Sequence, residues 1–450
     1  RVPRYNSNGG QRCGENMASN IEDSKIGATM GLAVGDALGA PVEGAKPGAI
    51  KSAFRRVCDF VDPADMLADE KIYKWRKPGL YTDETQQALA LLDSLLLDKG
   101  LNPEKAAARL ADLSRGAEFR HGVYRGASGA LMKSATALRQ GADWSLSSLD
   151  TDSNGAAARV APVAVYFHGN PGAVADNAAK SALFTHRNFV GVAAAAAVAR
   201  AVYLLLDMEE LEPRDRPAFV SQLAALCAED EEMIADRYGA HLFDFDAETR
   251  TFLSSTLYGL AERVGGPPAE TADWIAANAS RRSRAIISRP SAPAAAASVI
   301  FAVCLAVRHS ASFEDALVEA VNAGGDSDAV GAMTGAMSGA LHGFSSIPER
   351  WLKGLANRKQ LTARAQSLAS GKWMKSKLED LYELEYGLTR REHEERLARM
   401  RKAGVEFPDN KSAPAAFSEP IPTDEKFDRK KFRREQSRLK RWASYAPADE

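Results

Sequence analysis

The sequence predicts an all-α protein built from many helices. Strand signals are nearly absent, and alanine-rich stretches carry apolar residues at i, i+3, i+4 and i+7, the spacing of one helix face. Four such stretches are QQALALLDSLLLDKG, NPEKAAARLADLSRG, RPAFVSQLAALCAEDEEMIADRY and PAAAASVIFAVCLAVRH. Asn102, Pro103 and Glu104 form a helix-start signal before the second one. Small residues dominate the most apolar stretches, which allows helix backbones to approach closely and predicts a compact bundle.

Composition excludes some classes of partner and indicates a compartment. The 450 residues are 45% hydrophobic and 26% charged, and the net charge of -1 provides no overall field for nucleic acid or an anionic membrane. Four cysteines are far apart and form no CxxC pair. Cys227 and Cys304 lie in apolar helical patterns, so we expect them to be buried free thiols. A cytoplasmic location is expected on this basis.

The chain divides into four predicted segments. Residues 1–20 lack the apolar stretch of a signal peptide and do not begin with methionine, so a disordered N-terminal extension is expected. Residues 21–370 form the predicted main domain. The most apolar window in it, residues 190–206, is interrupted by Arg200 and is interpreted as a buried helix, so we expect no membrane span. The protein is expected to be a monomer.

The last two segments differ in composition from the main domain. Residues 371–406 are predicted to form a charged helical extension, exposed and rich in salt bridges. Residues 407–450 comprise a Pro/Ser-rich linker and a basic tail, KFDRKKFRREQSRLKRW. The tail is either a solvated helix or floppy segment, or a docking segment for nucleic acid, an acidic partner or a membrane surface.

Three segments place oxygen-bearing side chains in turn-like settings. GLAVGDALGAPVEG carries Asp36 and Glu43, YTDETQQAL carries a Thr-Asp-Glu run, and AGGDSDAVGAMTGAMSGALHG carries Asp326 and Asp328 after two glycines. Each cluster taken singly is better explained by helix capping and the helix dipole, and Asp36 is interpreted as structural. Together they indicate cation binding, because several carboxylates among small apolar residues are unfavourable unless a cation neutralises them. An all-oxygen ligand set favours Mg²⁺, Mn²⁺ or Ca²⁺, and the short spacings allow two adjacent ions.

The order of the motifs resembles that of a known family. GLAVGDALGAPVE, TDETQ, SNGAAARVAPVAV, THRN, GGDSDAVGAMTGAMSGALHG and IPERWL follow one another as in the ADP-ribosylglycohydrolases, from about residue 26 to residue 368. The resemblance implies a compact all-α domain with two Mg²⁺ ions, or Mn²⁺, at the base of a central cleft that takes ADP-ribose. It also implies cleavage of the bond between C1″ of the distal ribose and an acceptor, which is an ADP-ribosylated protein or small molecule.

The resemblance also assigns roles to residues. The metal ligands that it implies are Thr82, Asp83, Glu84, Asp326 and Asp328. The catalytic residues that it implies are Glu43, Asp83 and Asp328, with Glu43 approaching the metals and the scissile bond. The substrate-binding residues are Arg125, Gly126 and Gly129 of a diphosphate loop, Asn154, Gly155 and His186. For the substrate group, a helix-start turn, an Asx cap and a structural histidine are the respective alternatives.

Two positions depart from the family pattern and leave two functions open. Glu84 stands where aspartate is usual, and Ala329 stands where threonine or serine is usual, which removes one oxygen ligand. The first hypothesis is a Mg²⁺-dependent hydrolase that releases ADP-ribose. The alternative is a degenerate member that binds ADP-ribose or a modified partner without turnover, and a scaffold role centred on the basic tail is a third. The sequence does not specify the acceptor linkage.

Overall fold

The structure, a computed structural model, describes residues 12–406 except 117, 244, 284–285, 375 and 377. It confirms the prediction of an all-α protein. Besides short 3-10 turns, the described residues contain nineteen α-helices and one short strand: α1 Arg12–Gly39, α2 Pro47–Phe54, α3 Asp83–Leu97, α4 Pro103–Asp112, β1 Arg120–Val123, α5 Gly129–Arg139, α6 Gly155–Ala158, α7 Ala161–Tyr166, α8 Pro171–Ala182, α9 Phe189–Leu206, α10 Arg216–Tyr238, α11 Ala247–Arg250, α12 Phe252–Ala261, α13 Pro268–Ala279, α14 Ala295–Arg308, α15 Phe313–Asn322, α16 Ser327–His342, α17 Glu349–Gly354, α18 Arg358–Ser370 and α19 Leu381–Ala403.

Glycines determine how closely α1 and α16 pack. A Cβ atom placed on Gly31 would lie 2.1 Å from the carbonyl oxygen of Gly335, and one on Gly35 would lie 1.9 Å from that of Gly331. No side chain fits at these distances, so the two backbones are in direct contact. Glycine recurs every fourth residue on both helices, which keeps it on one face. This close contact brings the C-terminal end of α1 next to the N-terminal end of α16.

The main apolar core surrounds α9, α14 and α16. Of these, α9 is long and apolar enough to cross a membrane by length and composition alone, with a mean hydropathy of 2.1, and 89% of it is buried inside the protein. The prediction that residues 190–206 form a buried helix is therefore confirmed. Cys227 and Cys304 are also buried and form no disulfide with a described cysteine, as predicted. Asn102 caps α4 by accepting a hydrogen bond from the backbone nitrogen of Lys105, at 3.0 Å.

The two ends of the described chain differ from expectation. Helix α1 begins at Arg12, so residues 12–20, where a disordered extension was expected, are part of this helix in the structure. Helix α19 is not a solvated helix, since it buries Glu385, Leu388, Thr389, Glu392 and Met400. Two of its acidic side chains are buried with basic partners: Glu385 pairs with Arg125 of the main domain, and Glu392 pairs with Arg396 of α19 itself. Residues 1–11 and the linker and basic tail at 407–450 lie outside the described residues, and the segment boundaries stay predictions.

Candidate active site

Three chain segments converge on one group of carboxylates. Glu43 follows α1, Asp83 and Glu84 lie in the first turn of α3, and Asp326 and Asp328 lie at the start of α16. Carboxylate oxygens of Glu43, Asp326 and Asp328 all lie within 4.8 Å of one another. Glu43 is exposed, Asp326 is half-buried and Asp328 is buried, so the group runs from the surface inward. The structure thus brings together acidic residues that are far apart in the sequence.

The two residues before Asp326 adopt a backbone conformation that favours glycine. Gly324 and Gly325 have φ values of 63° and 70°, in the left-handed region that glycine adopts without strain. A Cβ on Gly324 would lie 2.4 Å from the carbonyl oxygen of Ala45. The backbone of Gly325 donates to Ala45 O at 2.9 Å and accepts from Gly44 N at 2.6 Å. The pair therefore fastens the loop after Glu43 to the loop that carries Asp326.

Asp36 holds the second acidic segment in place. Its carboxylate is fully buried and accepts four hydrogen bonds, from the backbone nitrogen and the hydroxyl of both Thr82 and Thr85, at 2.6 to 2.9 Å. Burial raises the pKa of Asp36, and the four hydrogen bonds oppose this rise. The hydroxyl of Thr82 also lies 3.4 Å from Oδ2 of Asp328. The structural role of Asp36 is therefore to position Thr82, Asp83 and Glu84.

Gln87 and Arg159 orient the carboxylates on α3, and the sequence analysis assigned neither of them. Gln87 Nε2 donates to Asp83 Oδ2 at 2.9 Å and to Glu84 Oε2 at 3.4 Å. Its Oε1 accepts from Arg159 Nη1 at 2.7 Å, and Arg159 in turn donates to the backbone oxygen of Ser181. Gln87 follows Asp83 by four residues on the same helix, a spacing that could have indicated the contact.

Asn154 contacts the carboxylate group directly. Its Nδ2 donates to Asp326 Oδ2 at 2.6 Å and to the hydroxyl of Ser298 at 3.0 Å. The side chain makes no cap hydrogen bond to α6, so the Asx-cap alternative is not what the structure shows. Gly155 follows at the start of α6, and no described atom lies within 4 Å of a Cβ placed there. Asn154 thus positions a predicted metal ligand beside an open space.

The structure places the RGASG segment at the start of α5, with its arginine turned away from the carboxylates. Arg125 Nη2 pairs with buried Glu385 at 2.7 Å, and Nε donates to the backbone oxygen of Tyr81 at 2.8 Å. The side chain of Arg125 is therefore committed to a buried ion pair, and substrate binding by the backbone of this loop stays a prediction. Gly126 has a φ of 90° and lies beside Asp83, while Gly129 has no described atom within 4 Å of its Cβ position.

His186 is buried, and both of its ring nitrogens have partners. Nε2 lies 2.9 Å from the hydroxyl of Ser153, and Nδ1 lies 2.7 Å from that of Thr185. Burial and the nearby charge of Arg159 lower the pKa of His186 to about 3, so the ring is neutral. These contacts favour the structural alternative, and a role in binding substrate stays a prediction.

The carboxylates raise one another's pKa. Burial, and then the charges of Asp36 and Glu43, raise the pKa of Asp83 to about 8. Burial and Glu43 raise that of Asp326 to about 6, against the hydrogen bond from Asn154. The pKa values of Glu84 and Asp328 are also raised well above their usual range by burial and their acidic neighbours. Such a group of oxygens is suited to a hard divalent cation, which would offset the repulsion.

A match to a family model covers most of the chain. The model described as ADP-ribosylglycohydrolase matches residues 17–380. The chain belongs to the ADP-ribosylglycohydrolase family. The family resemblance inferred from the motifs is thereby confirmed. Proteins of this family hydrolyse ADP-ribose linkages and generally use divalent metal ions.

Individual relatives of the ADP-ribosylglycohydrolase family agree with this assignment. An uncharacterized protein of Archaeoglobus fulgidus is 30% identical over 351 residues, which are 77% of this chain and 96% of the relative. The ADP-ribosylhydrolase ARH3 of Bos taurus is 25% identical over 374 residues, 79% of this chain and 95% of the relative. A solved structure described as an ADP-ribosylglycohydrolase-related protein complex has a TM-score of 0.55 and 25% identity, covering 79% of this chain and 100% of that one.

Proposed function

We propose that this protein is a divalent-cation-dependent hydrolase that removes ADP-ribose from a modified acceptor by cleaving the C1″ glycosidic bond of the distal ribose. The observation that carries the proposal is the convergence of Glu43, Asp326 and Asp328 within 4.8 Å, beside the first turn of α3. Membership of the ADP-ribosylglycohydrolase family supports the reaction class. The acceptor is proposed to be an ADP-ribosylated protein or small molecule.

The residues that would hold the cation are those that the sequence analysis assigned. They are Thr82, Asp83, Glu84, Asp326 and Asp328, and their all-oxygen chemistry suits Mg²⁺, with Mn²⁺ as a second candidate and room in the ligand set for two ions. When bound, such a cation supplies positive charge that holds sugar hydroxyls and favours ionisation of a nearby water. The raised pKa values of the buried carboxylates support this assignment, because a cation would offset their repulsion.

Glu43 is the carboxylate best placed to exchange a proton with the reactants, since it is exposed while Asp328 is buried. In the proposed reaction an oxygen of water bonds to C1″ while the bond from C1″ to the acceptor breaks. Glu43 accepts the proton of the attacking water, and the acceptor atom leaves with the bonding electrons and takes up a proton. The surrounding carboxylates favour the positive charge that develops on the ribose. The open spaces beside Gly129 and Gly155 leave room for the diphosphate.

A second candidate function is binding without turnover. Two observations favour it: Glu84 is one methylene longer than the usual aspartate, and Ala329, which is fully buried, offers no hydroxyl oxygen. In this case the protein would bind ADP-ribose or an ADP-ribosylated partner with the same residues. Tight binding of ADP-ribose without release from arginine-, serine- or O-acetyl-linked substrates would establish this candidate and contradict the first.

The deciding experiment measures release of ADP-ribose from substrates of these three linkages, with Mg²⁺, with Mn²⁺ and with chelator. We expect release that requires a divalent cation, and we expect Asp328→Ala to abolish it because a buried ligand is lost. Asp236→Ala is the matched control, since Asp236 is an exposed residue of α10 that pairs with Arg250. Release that persists in chelator, or in Asp328→Ala, would contradict the proposed function.

A further inference from the structure

Helix α19 lies against the candidate site, although it begins at Leu381, just past the end of the family match at residue 380. It fixes the backbone on both sides of Arg76. Arg396 Nε donates to the backbone oxygen of Trp75 at 2.9 Å, and the backbone nitrogen of Lys77 donates to Glu392 Oε1 at 3.3 Å. Arg76 therefore lies between two peptide groups that are held by one helix.

Further contacts hold the segment that contains Arg76. The guanidinium of Arg399 lies 4.3 Å from the ring centroid of buried Trp75, and it also donates to Asp62 at 2.7 Å. Asp62 in turn accepts from the indole nitrogen of Trp75 at 2.7 Å. Lys77 forms an ion pair with Glu395 of α19. Charged groups and one aromatic ring thus fasten this segment to α19.

The same helix reaches the ligand-bearing segment. Glu385 is fully buried and accepts from the hydroxyl of Tyr81 at 2.5 Å, from Gln86 Nε2 at 2.9 Å and from Arg125 Nη2 at 2.7 Å. Tyr81 and Gln86 flank the Thr82–Glu84 run on both sides. Because α19 binds both this segment and that of Arg76, it determines their relative position.

The side chain of Arg76 points to the carboxylates. Its Nη2 lies 3.8 Å from Glu43 Oε2. A Cβ placed on Gly126 would lie 3.1 Å from Arg76 Nη2 and 3.2 Å from Asp83 Oδ1, so the missing side chain at Gly126 leaves room for both groups. Glu392, Glu43, Asp328 and Asp83 all attract the guanidinium. Only 21% of the Arg76 side chain is exposed, so solvent screens these interactions weakly.

We propose that Arg76 is a positioning residue with a fixed positive charge, which neutralises part of the negative charge of the carboxylates and holds Glu43. Helix α19 places Arg76 beside the carboxylates through Glu392. This inference rests on the proposed function for the presence of a divalent ion. It makes α19 part of the site, although the helix lies outside the matched residues. Arg76 is not counted among the ligands, and it acts on the ion only through charge and through Glu43.

A fixed positive charge next to a cation site has a measurable consequence. Like charges repel, so Arg76 lowers the affinity of the site for a divalent ion. Removal of the charge strengthens binding, whereas disruption of the site would weaken it. The sign of the change in divalent-ion affinity of an Arg76 variant therefore distinguishes a role of the charge from a merely structural role.

The test is a titration of the full chain with Mn²⁺, followed by the electron paramagnetic resonance of the free ion and by calorimetry. All variants are titrated at the same pH and ionic strength. We expect Arg76→Gln to bind Mn²⁺ at least about threefold more tightly and Arg76→Lys to stay within about twofold of the unmodified protein. Arg390→Gln is the control on α19, because Arg390 is exposed and pairs with exposed Glu394.

The role of Glu392 is tested by a double-mutant cycle. If Glu392 acts through Arg76, Glu392→Ala changes Mn²⁺ affinity in the unmodified protein and has no further effect in Arg76→Gln. An equal change in both backgrounds would overturn the part of the proposal that concerns α19. Unchanged or weaker Mn²⁺ binding by a folded Arg76→Gln would overturn the whole inference.

Failure of this inference can be told apart from failure of the proposed function. Absence of ADP-ribose release, with Mn²⁺ affinities in the expected order, contradicts the proposed function alone. Cation-dependent release with equal Mn²⁺ affinities contradicts the role of Arg76 alone. Absence of Mn²⁺ binding in every variant contradicts both.

Discussion

Asp36 shows how a buried residue on one helix determines the position of ligands on another. Its two carboxylate oxygens each serve one threonine of the TDET segment, and each accepts both a backbone nitrogen and a hydroxyl. Four hydrogen-bond donors around one carboxylate offset much of the desolvation free energy of burying it. The start of α3, and with it Asp83, is thereby fastened to the end of α1.

At the residue scale we predict that Asp36→Asn destabilises the protein and weakens cation binding. The amide nitrogen of asparagine cannot accept hydrogen bonds, so two of the four donors lose their partner inside the protein. The expected cost is about 2–3 kcal/mol of unfolding free energy. Urea unfolding in chelator measures the stability, and calorimetry with Mg²⁺ measures the binding.

The control for this change is Asp236→Asn, which alters an exposed carboxylate of α10. It is expected to change the unfolding free energy by less than about 0.5 kcal/mol. If Asp36→Asn were as stable as the unmodified protein and bound Mg²⁺ equally well, the positioning role of Asp36 would be wrong.

At the scale of elements, the contact between α1 and α16 is the feature that most constrains substitution. Four positions of α1 lie directly against the backbone of α16, so that the Cα of each glycine of α1 meets a backbone carbonyl of the other helix. The facing pairs are Gly27 and Gly339, Gly31 and Gly335, Gly35 and Gly331, and Gly39 and Ser327. The helices run in opposite directions, so residues near the end of one lie beside residues near the start of the other. The carboxylates after α1 and before α16 meet for this reason.

We predict that Gly31→Ala strongly destabilises the fold. The new methyl group would lie 2.1 Å from a backbone oxygen that belongs to the facing helix, so the helices must separate. Overpacking of this kind costs about 1–3 kcal/mol or more. Thermal unfolding followed by circular dichroism measures the loss.

Gly387→Ala on α19 is the matched control, because no described atom lies within 4 Å of a Cβ placed there. It is expected to stabilise the helix by up to about 1 kcal/mol, since alanine has the higher helix propensity. Equal melting temperatures for the two variants would contradict the close contact of α1 and α16.

Elements that follow a periodic pattern could be predicted from the sequence, and those that depend on distant partners could not. Residues 216–238 carry one helical pattern in the sequence and form α10 with the same bounds, because the periodic pattern is local. The buried face of α19 was missed, since Glu385 and Glu392 look solvated until Arg125, Tyr81 and Lys77 are placed beside them. Lys77 and Glu392 are 315 residues apart.

Within the site, too, residues in local motifs could be predicted from the sequence, and residues placed by distant partners could not. Asp83, Asp326 and Asp328 were singled out as candidates because they stand in short motifs beside glycine and threonine. Arg76 was missed because its neighbours, KWRKP, follow no periodicity and match no motif. The ion pair of Arg125 with Glu385 could not be predicted, because a glycine-rich segment does not reveal where the preceding arginine points.

At the scale of the whole molecule, the unneutralised carboxylates make stability depend on pH. The folded protein holds the pKa of Asp83 at about 8, against 3.8 for the free side chain, so it binds more protons than the unfolded chain between these values. The unfolding free energy therefore falls as the pH rises towards 8. A bound divalent ion favours the ionised form and opposes this loss.

We predict that, in chelator, the melting temperature falls as the pH rises from about 7 to about 8 and levels off above that, once Asp83 is ionised in the folded protein as well. The buried neutral His186, with a pKa of about 3, does not contribute to this range, because the ordinary histidine value of 6.5 lies below it. Added Mg²⁺ should raise the melting temperature more at pH 9 than at pH 7. Differential scanning fluorimetry in matched buffers measures both effects, and a pH-independent melting temperature in chelator would refute the prediction.

The glycine contact between α1 and α16 also has a consequence for biosynthesis. Gly39 and Ser327, which meet at the site, are separated by 288 residues. At about 5–20 residues per second, the ribosome needs roughly 15–60 s to add that length. During this interval the glycine face of α1 has no partner, and the carboxylates it will help to assemble do not yet exist together. The group of carboxylates is therefore completed only late in translation, and a nascent chain that stalls before the start of α16 lacks Asp326 and Asp328.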